Sequence, residues 1–316
     1  MNGKGGHRAG LAFIGILGLA IAGGVALHFR QTPRPESPPT DSAAPAAARR
    51  SIDDDEFVGS DACAACHTRI WNSYRRHSMG RSLASVEEAA PIENYETAEF
   101  APPGPRRYRV ERTATRVRHH ESLTDRDGTL LYDQGVDVAY ALGSGKRGRA
   151  YLIEHDGLLF KSSIAWFSRE QAWGLAPDYA PESHQRFERR ITDGCINCHA
   201  GHVQAVASAP DTFAAPVLIE SAIGCERCYG PGRRHIAAHE AAEGKLADEL
   251  IVNPSRLDGP RQTDICAQCH LHGEATVLRT GQKPYDFEPG QRLEENRIVF
   301  VKPPLKTGPS GRQALS

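Results

Sequence analysis

Residues 63–67 read CAACH, and the same five-residue pattern returns as CINCH at 195–199 and as CAQCH at 266–270. A fourth pair with identical spacing, CERCY at 225–229, has Tyr229 where the other three have a histidine. All eight cysteines of the 316-residue chain fall in these four pairs. Cys-x-x-Cys followed at once by histidine is the pattern of covalent haem attachment in c-type cytochromes.

In such a motif, both thiols form thioether bonds to the porphyrin, and the adjoining histidine ligates the iron from one side. The sequence therefore predicts haem c at three complete motifs, made up of Cys63, Cys66 and His67, of Cys195, Cys198 and His199, and of Cys266, Cys269 and His270. The competing interpretation is zinc held by two cysteine pairs, which explains the cysteines but not the three histidines. A thioredoxin-type redox role would need one such pair, not four.

The incomplete motif, CERCY, which is the third along the chain, leaves the expected number of haems at three or four. Tyrosinate ligates haem iron in catalase, and a weak or missing ligand at Tyr229 would leave an open iron position where chemistry could occur. Alternatively, no haem is attached there, and Cys225 and Cys228 form a disulfide or remain thiols.

Three further histidines are candidates for the second iron ligand. His77 lies ten residues after His67, about 15 Å along a continuous helix, whereas two ligands of one iron are about 4 Å apart. His77 is therefore expected to ligate a neighbouring haem, with a surface histidine as the alternative. His235 and His239 share one helix face, so one is a candidate ligand and the other its supporting partner, unless that face is simply solvated. Weaker candidates are His155, His184, His202 and His272, and at most one of His119 and His120, neighbours on a predicted strand, can point inward.

The N-terminus predicts export. An uncharged run over residues 9–27 follows Lys4 and Arg8 and is long enough to span a bilayer, with its amino end in the cytoplasm. We therefore expect a single-pass anchor over residues 1–30 and a globular part on the periplasmic side. A cleaved signal peptide, which would give a soluble periplasmic protein, is the alternative. Residues 31–55 are rich in proline and alanine and predict an extended linker.

The expected fold is mainly α with much irregular structure, in a multihaem domain over residues 56–300. Helical spacing of Ile70, Trp71 and Tyr74 predicts a helix over 68–79, and a second helix is predicted over 233–250. Alternation over 107–167 predicts a small antiparallel β insert, with a hairpin turn at residues 155–157. The tail, residues 301–316, has no periodicity and is expected to be mobile.

Several stretches resemble a known family: VGSDACAACHTRIWNSYRRHSMGRSL (58–83), RFERRITDGCINCHAGH (186–202), IGCERCYGPGRRHIAAHE (223–240) and IVNPSRLDGPRQTDICAQCHLHG (251–273). They resemble the tetrahaem cytochrome c family of nitrifiers, related to the haem core of hydroxylamine oxidoreductase. They resemble more closely the haem domain of multihaem cytochromes that carry tetratricopeptide repeats. The resemblance implies that His77 and His235 ligate haems from the far side. In that family the third motif ends in histidine, so Tyr229 is a departure.

The expected function is electron transfer from a quinol-linked donor in the membrane to an acceptor in the periplasm. The expected partners are redox proteins. The alternative is a haem oxidoreductase acting on a small nitrogen compound at an open-coordination haem, and a haem-based sensor is a third interpretation. Lysine and arginine number 38 against 39 aspartate and glutamate, so no basic excess indicates a nucleic-acid partner.

Overall fold

The structure, a computed structural model, describes residues 56–242 and 244–302. Within them, 30% of residues lie in strands and 26% in helices. The strands form four antiparallel sheets. The prediction of a mainly α fold with a small β insert is therefore wrong, and the fold is β-rich.

The strands of the described residues are β1 (Leu83–Ser85), β2 (Glu99–Phe100), β3 (Arg106–Arg112), β4 (Val117–Thr124), β5 (Leu130–Val138), β6 (Tyr140–Leu142), β7 (Gly148–His155), β8 (Leu158–Lys161), β9 (Ile164–Phe167), β10 (Ala172–Leu175), β11 (Arg189–Arg190), β12 (His202–Ala205), β13 (Phe213–Glu220), β14 (Ala275–Leu278) and β15 (Arg297–Phe300). The α-helices of the same residues are α1 (Ser60–Tyr74), α2 (Asp193–Asn197), α3 (Glu226–Tyr229), α4 (Arg233–Glu240), α5 (Gly244–Glu249) and α6 (Gly259–His270).

A four-stranded meander, in the order β2-β3-β4-β5, forms one layer. Its strands alternate as the sequence predicts, because Tyr108 and Val110 are buried while Arg107 and Glu111, which flank them, are exposed. His119 lies opposite Val110 in the register and is fully buried, whereas the next residue, His120, is on the other face. The expectation that at most one of these two histidines points inward is confirmed.

A seven-stranded sheet forms the second layer, in the order β1-β6-β7-β8-β11, with β9 paired to β7 and β10 paired to β9. Its β7–β8 hairpin turns at Asp156 and Gly157, whose φ angles of 49° and 74° are left-handed. Two consecutive left-handed residues are what a type I′ hairpin turn requires. The predicted hairpin is therefore present, in a sheet that extends well beyond residues 107–167.

Large apolar side chains fill the space between the two sheets. Val110 and Val117 of the meander belong to one buried cluster with Tyr151, Trp166 and Trp173 of the larger sheet. Trp166 is 1% exposed, and burial of apolar surface on this scale is the main stabilising contribution to a fold.

A second core joins the sheet to the cysteine motifs. Leu152 of β7 and Leu159 of β8 cluster with Ile191, Ile196 and Val217. Ile196 lies in α2, between the two cysteines of CINCH. Packing of this one side chain therefore holds the second motif against the rigid sheet.

The predicted helices are present with different bounds. The first motif lies inside α1, which begins at Ser60 and ends at Tyr74, before the predicted end at residue 79. The helix predicted over 233–250 is two helices, α4 and α5. Ala242, with a left-handed φ of 61°, follows the first of them and interrupts the helical path.

Across the described residues, no helix combines the length and the apolar character needed to cross a membrane. The uncharged run over 9–27, the linker over 31–55 and the tail over 303–316 lie outside the described residues. The prediction of a single-pass N-terminal anchor is therefore not supported by the structure.

Candidate haem-attachment site

The first motif lies on a helix that the protein leaves uncovered. None of the 15 residues of α1 is buried, and the apolar side chain of Ile70 is 54% exposed. The helix kinks at His67, whose φ and ψ of −108° and 35° are not helical. A helix that carries apolar residues and buries none of them fits a surface that a large apolar cofactor would cover.

The first and third motifs meet through their leading cysteines. The two thiols lie close enough to interact, and this interaction lowers the pKa of the Cys225 thiol to about 6 and raises the pKa of the Cys63 thiol. The backbone N–H of Cys225 also donates to the Ser60 hydroxyl at 2.8 Å. We call this arrangement the Cys63/Cys225 pair.

Two carboxylates hold the Cys63/Cys225 pair together. Glu226, between the cysteines of CERCY, accepts hydrogen bonds from the backbone N–H groups of Val58, Gly59 and Gly232 at 3.0, 2.8 and 2.7 Å. Glu220 accepts from the N–H of Ser60 at 2.9 Å. Both contacts satisfy N–H groups at the start of α1, where a helix lacks internal partners and favours negative charge.

The second and fourth motifs meet in the same way, through Cys198 and Cys269. The interaction between these two thiols lowers the pKa of the Cys269 thiol to about 6 and raises the pKa of the Cys198 thiol. We call this arrangement the Cys198/Cys269 pair. The side chain of Arg227 joins its two motifs, because its Nη2 donates to Asn197 Oδ1 of CINCH at 2.9 Å and to Gln268 Oε1 of CAQCH at 3.1 Å.

The cysteines do not gather into zinc sites. All eight are free thiols, and the described residues contain no group of three or more His, Cys, Asp or Glu side chains that could hold a metal ion. A four-cysteine zinc site needs four such ligands around one ion. Haem needs fewer protein ligands, because the porphyrin supplies four nitrogens and the protein supplies only the axial ligands.

His67 and His235 lie close enough together to be candidate ligands of one iron. Their rings are nearly parallel, with an interplanar angle of 15°, and their centroids are 6.4 Å apart. With iron–nitrogen bonds of about 2 Å, imidazoles on opposite sides of one iron have centroids about 6 Å apart. His235 Nδ1 lies 2.8 Å from the Ala247 carbonyl, and donation of this N–H leaves Nε2 free to bind metal. The residues present therefore fit a haem held at the first motif.

The last residues of the other three motifs differ in their exposure to solvent. His199 is largely buried, and burial lowers its pKa, which favours the neutral imidazole that a metal ligand must be. His270 ends α6 and is exposed. Tyr229 ends α3 and is 44% exposed. Its position in its motif matches the position of the histidine in the other three.

The two remaining ligand candidates make other contacts. His77 Nδ1 accepts a hydrogen bond from the Met79 N–H at 3.2 Å, and its ring stacks on Tyr74 at 6.1 Å. This bond leaves the hydrogen on Nε2, the opposite of the arrangement at His235. His239 is exposed and touches the His235 ring edge to face at 4.8 Å, so the Ala247 carbonyl, and not His239, is the hydrogen-bond partner of His235. Iron ligation by His77 or His239 stays a prediction.

Two of the weaker candidates belong to the β layers. His155 is 77% exposed at the side chain, on the β7–β8 hairpin. His184 Nε2 lies 2.9 Å from the Tyr108 hydroxyl, at the edge of a buried network centred on Glu121. His202 begins β12, and His272 lies in the exposed segment after α6.

Sequence reasoning missed the roles of Glu226 and Arg227. They occupy the two variable positions of a Cys-x-x-Cys motif, where the spacing rule places no demand on residue type. Their opposite charges could be read from the sequence, but their contacts could not. Glu226 binds the segment before the first motif, and Arg227 binds the second motif, and both partners are distant along the chain.

No protein-family model matches this chain, and no curated protein matches it. Among solved structures, the crystal structure of the outer cell wall cytochrome OcwA is similar, with a TM-score of 0.46 and 17% identity. The match covers 77% of this chain and 45% of that chain, so this chain spans less than half the length of that cytochrome. A likeness this weak carries no argument about function, and the resemblance to the nitrifier family stays a prediction.

Proposed function

We propose that the domain over residues 56–302 is a multihaem c-type cytochrome that transfers electrons between redox partner proteins. The observation that carries the proposal is the meeting of the motifs in two pairs, in which Cys63 lies beside Cys225 and Cys198 beside Cys269. Porphyrins attached at these thiols would be neighbours, and closely spaced haems are the requirement for rapid electron transfer through a protein.

Haem, when bound, supplies a one-electron iron couple whose potential depends on axial ligands, nearby charge and burial. The chain supplies the rest. The cysteines would hold the porphyrins, His67 and His235 would supply ligands to one iron, and the Ala247 carbonyl orients His235. Rings packed on α1 would cover the apolar side chain of Ile70 and be shielded from water in turn.

A fourth haem at Cys225 and Cys228 is part of this proposal. The Cys63/Cys225 pair repeats the thiol contact of the Cys198/Cys269 pair, although only the latter has a histidine in both motifs. The repeated contact supports an attachment site at the third motif, with Tyr229 beside the iron.

The test is the number of covalent haems. The chain is matured in cells that carry cytochrome c assembly machinery, and haem is counted by intact mass and by the reduced pyridine-haem spectrum. We expect four haems, and one fewer in the double variant Cys225→Ser, Cys228→Ser. Three haems in the wild-type chain would remove the fourth site alone, whereas no haem, with a control cytochrome matured in the same cells, would overturn the proposal.

A further inference from the structure

We propose that buried charges give the two motif pairs different reduction potentials, so that electrons enter at the Cys63/Cys225 pair and leave at the Cys198/Cys269 pair. This inference rests on the proposed function. One electron leaves the haem iron at the first pair, which is oxidised, and reduces the haem iron at the second pair. A one-electron donor protein supplies that electron, and a one-electron acceptor protein removes it.

Negative charge lies at the Cys63/Cys225 pair, on the buried Glu226 and the partly buried Glu220. Glu226 is 5% exposed and is held by three backbone N–H groups and by no lysine or arginine among the described residues. Glu220 bonds the Ser60 N–H and lies opposite His202 in the β12–β13 register. Ser60 in turn accepts from the N–H of Cys225, so these carboxylates adjoin the pair.

Positive charge is buried at the Cys198/Cys269 pair. Arg227 is partly buried, donates to Asn197 and Gln268, and lies within hydrogen-bonding reach of Cys269. Arg297 is 8% exposed, and it donates to Asn296 and to the Pro284 carbonyl. Neither guanidinium forms an ion pair with a carboxylate of the described residues.

The negative and the positive charge come from two neighbouring residues, Glu226 and Arg227, in the middle of the CERCY motif. Glu226 contacts the start of α1, in front of the first motif, whereas Arg227 contacts the second and fourth motifs. Adding an electron to a haem adds negative charge, so a nearby cation favours reduction and a nearby carboxylate opposes it. Electrons therefore run from the carboxylate side to the guanidinium side.

The magnitude follows from Coulomb's law. A unit charge about 10 Å from a redox centre, at an effective dielectric constant of about 20, changes the reduction equilibrium by roughly tenfold. For a one-electron couple, tenfold corresponds to ~59 mV. Each pair has two charges of the same sign, so the difference between the reduction potentials of the two pairs should exceed the effect of a single charge.

The experiment is a potentiometric titration, followed by visible absorption, of the matured protein with its haems counted. In Arg227→Gln we expect the highest of the haem potentials to fall, by about the equivalent of a tenfold change in equilibrium constant. In Glu226→Gln we expect the lowest potential to rise. Both variants should thus reduce the difference between the highest and the lowest potential, one by lowering the highest and the other by raising the lowest. A general destabilisation of the structure would not shift the two potentials in opposite directions.

Matched variants separate charge from structure. Arg227→Lys keeps the charge and should keep the wild-type potentials, and Arg116→Gln, at a residue with a 64% exposed side chain, should leave the span unchanged. Glu220→Gln replaces Glu226→Gln if the latter does not fold. A full complement of haems with an unchanged span in Arg227→Gln and the carboxylate variant would overturn this inference alone. Absence of haem from the wild-type chain would instead overturn the proposed function.

Discussion

Acid should destabilise this domain through one buried histidine in the β layers. His119, in β4, is fully buried, and its Nδ1 lies 2.7 Å from the Ser162 hydroxyl. Its ring packs edge to face with Tyr151 at 4.8 Å, and its Nε2 has no hydrogen-bond partner among residues 56–242 and 244–302. Burial, with a smaller contribution from His120, lowers the pKa of His119 from 6.5 to about 3. The side chain is therefore neutral in the folded protein at any pH above about 3.

The sign of the effect follows from proton binding. Below pH 6.5 the unfolded chain takes up a proton at His119 that the folded protein cannot, so stability falls as the pH falls from 6.5 towards 3. Between pH 7 and pH 5, this one residue lowers the free energy of unfolding by about 2 kcal/mol. The slope approaches ~1.4 kcal/mol per pH unit below that range.

The assay compares wild type with His119→Phe, which keeps an aromatic ring and cannot be protonated. Urea unfolding of the haem-loaded proteins is followed by far-ultraviolet circular dichroism at pH 7, 6 and 5. We expect wild type to lose about 2 kcal/mol more than the variant between pH 7 and pH 5. The control is His155→Gln, on the exposed hairpin turn, which should keep the wild-type slope. Equal pH dependence in wild type and His119→Phe would refute the reasoning.

Three further predictions test the core, the iron ligand and the buried polar network. Leu152→Ala, at a fully buried position of β7, should lower the free energy of unfolding by about 2–5 kcal/mol in urea titrations, while Leu131→Ala, 58% exposed, should change it by no more than about 0.5 kcal/mol. His235→Ala should keep every covalent haem but convert one to a form that binds carbon monoxide when reduced; unchanged carbon monoxide difference spectra, or the same change in His239→Ala, would contradict the assignment. Glu121→Gln breaks a buried network in which Tyr132 and Arg186 donate to the carboxylate at 2.7 and 2.5 Å. In thermal unfolding it should lower the free energy of unfolding by about 3–5 kcal/mol, whereas Glu111→Gln, at an exposed residue, should leave the melting temperature nearly unchanged.

Local patterns in the sequence were sufficient for some features of this fold. The β7–β8 turn was readable because Asp156-Gly157 separates two apolar runs, and two left-handed residues in a row are a local requirement. The sequence predicted that only one of His119 and His120 could face the core from β4, because consecutive residues of a strand lie on opposite faces. The cysteine motifs were readable because attachment chemistry fixes their spacing.

The extent of the sheet was not readable from the sequence. Strands such as β1, β6 and β10 have three or four residues, too few to reveal a period of two. The pairing of Leu83 with Leu142 joins segments far apart in the sequence, and neither segment alone indicates its partner. The mainly α expectation failed because strand pairing supplies most of the order between the first motif and the second.

The candidate site was predicted in its parts and not in its arrangement. Each motif could be located from its own residues, but the meetings of Cys63 with Cys225 and of Cys198 with Cys269 are tertiary contacts. The choice of Ala247 rather than His239 as the partner of His235 depends on the break between α4 and α5, which helical periodicity did not reveal.

The contact between Val58 and Glu226 spans 168 positions of the chain, and this separation has a consequence for the order of assembly. Contacts between distant segments form late, because the entropy of closing a long loop opposes them until the intervening chain is compact. The four-stranded meander and the seven-stranded sheet both lie between these two residues in the sequence, so their folding brings the two ends together. During synthesis, the first motif is therefore present long before its partner arrives, and under the proposed function haem could be attached there before the contact with Glu226 has formed.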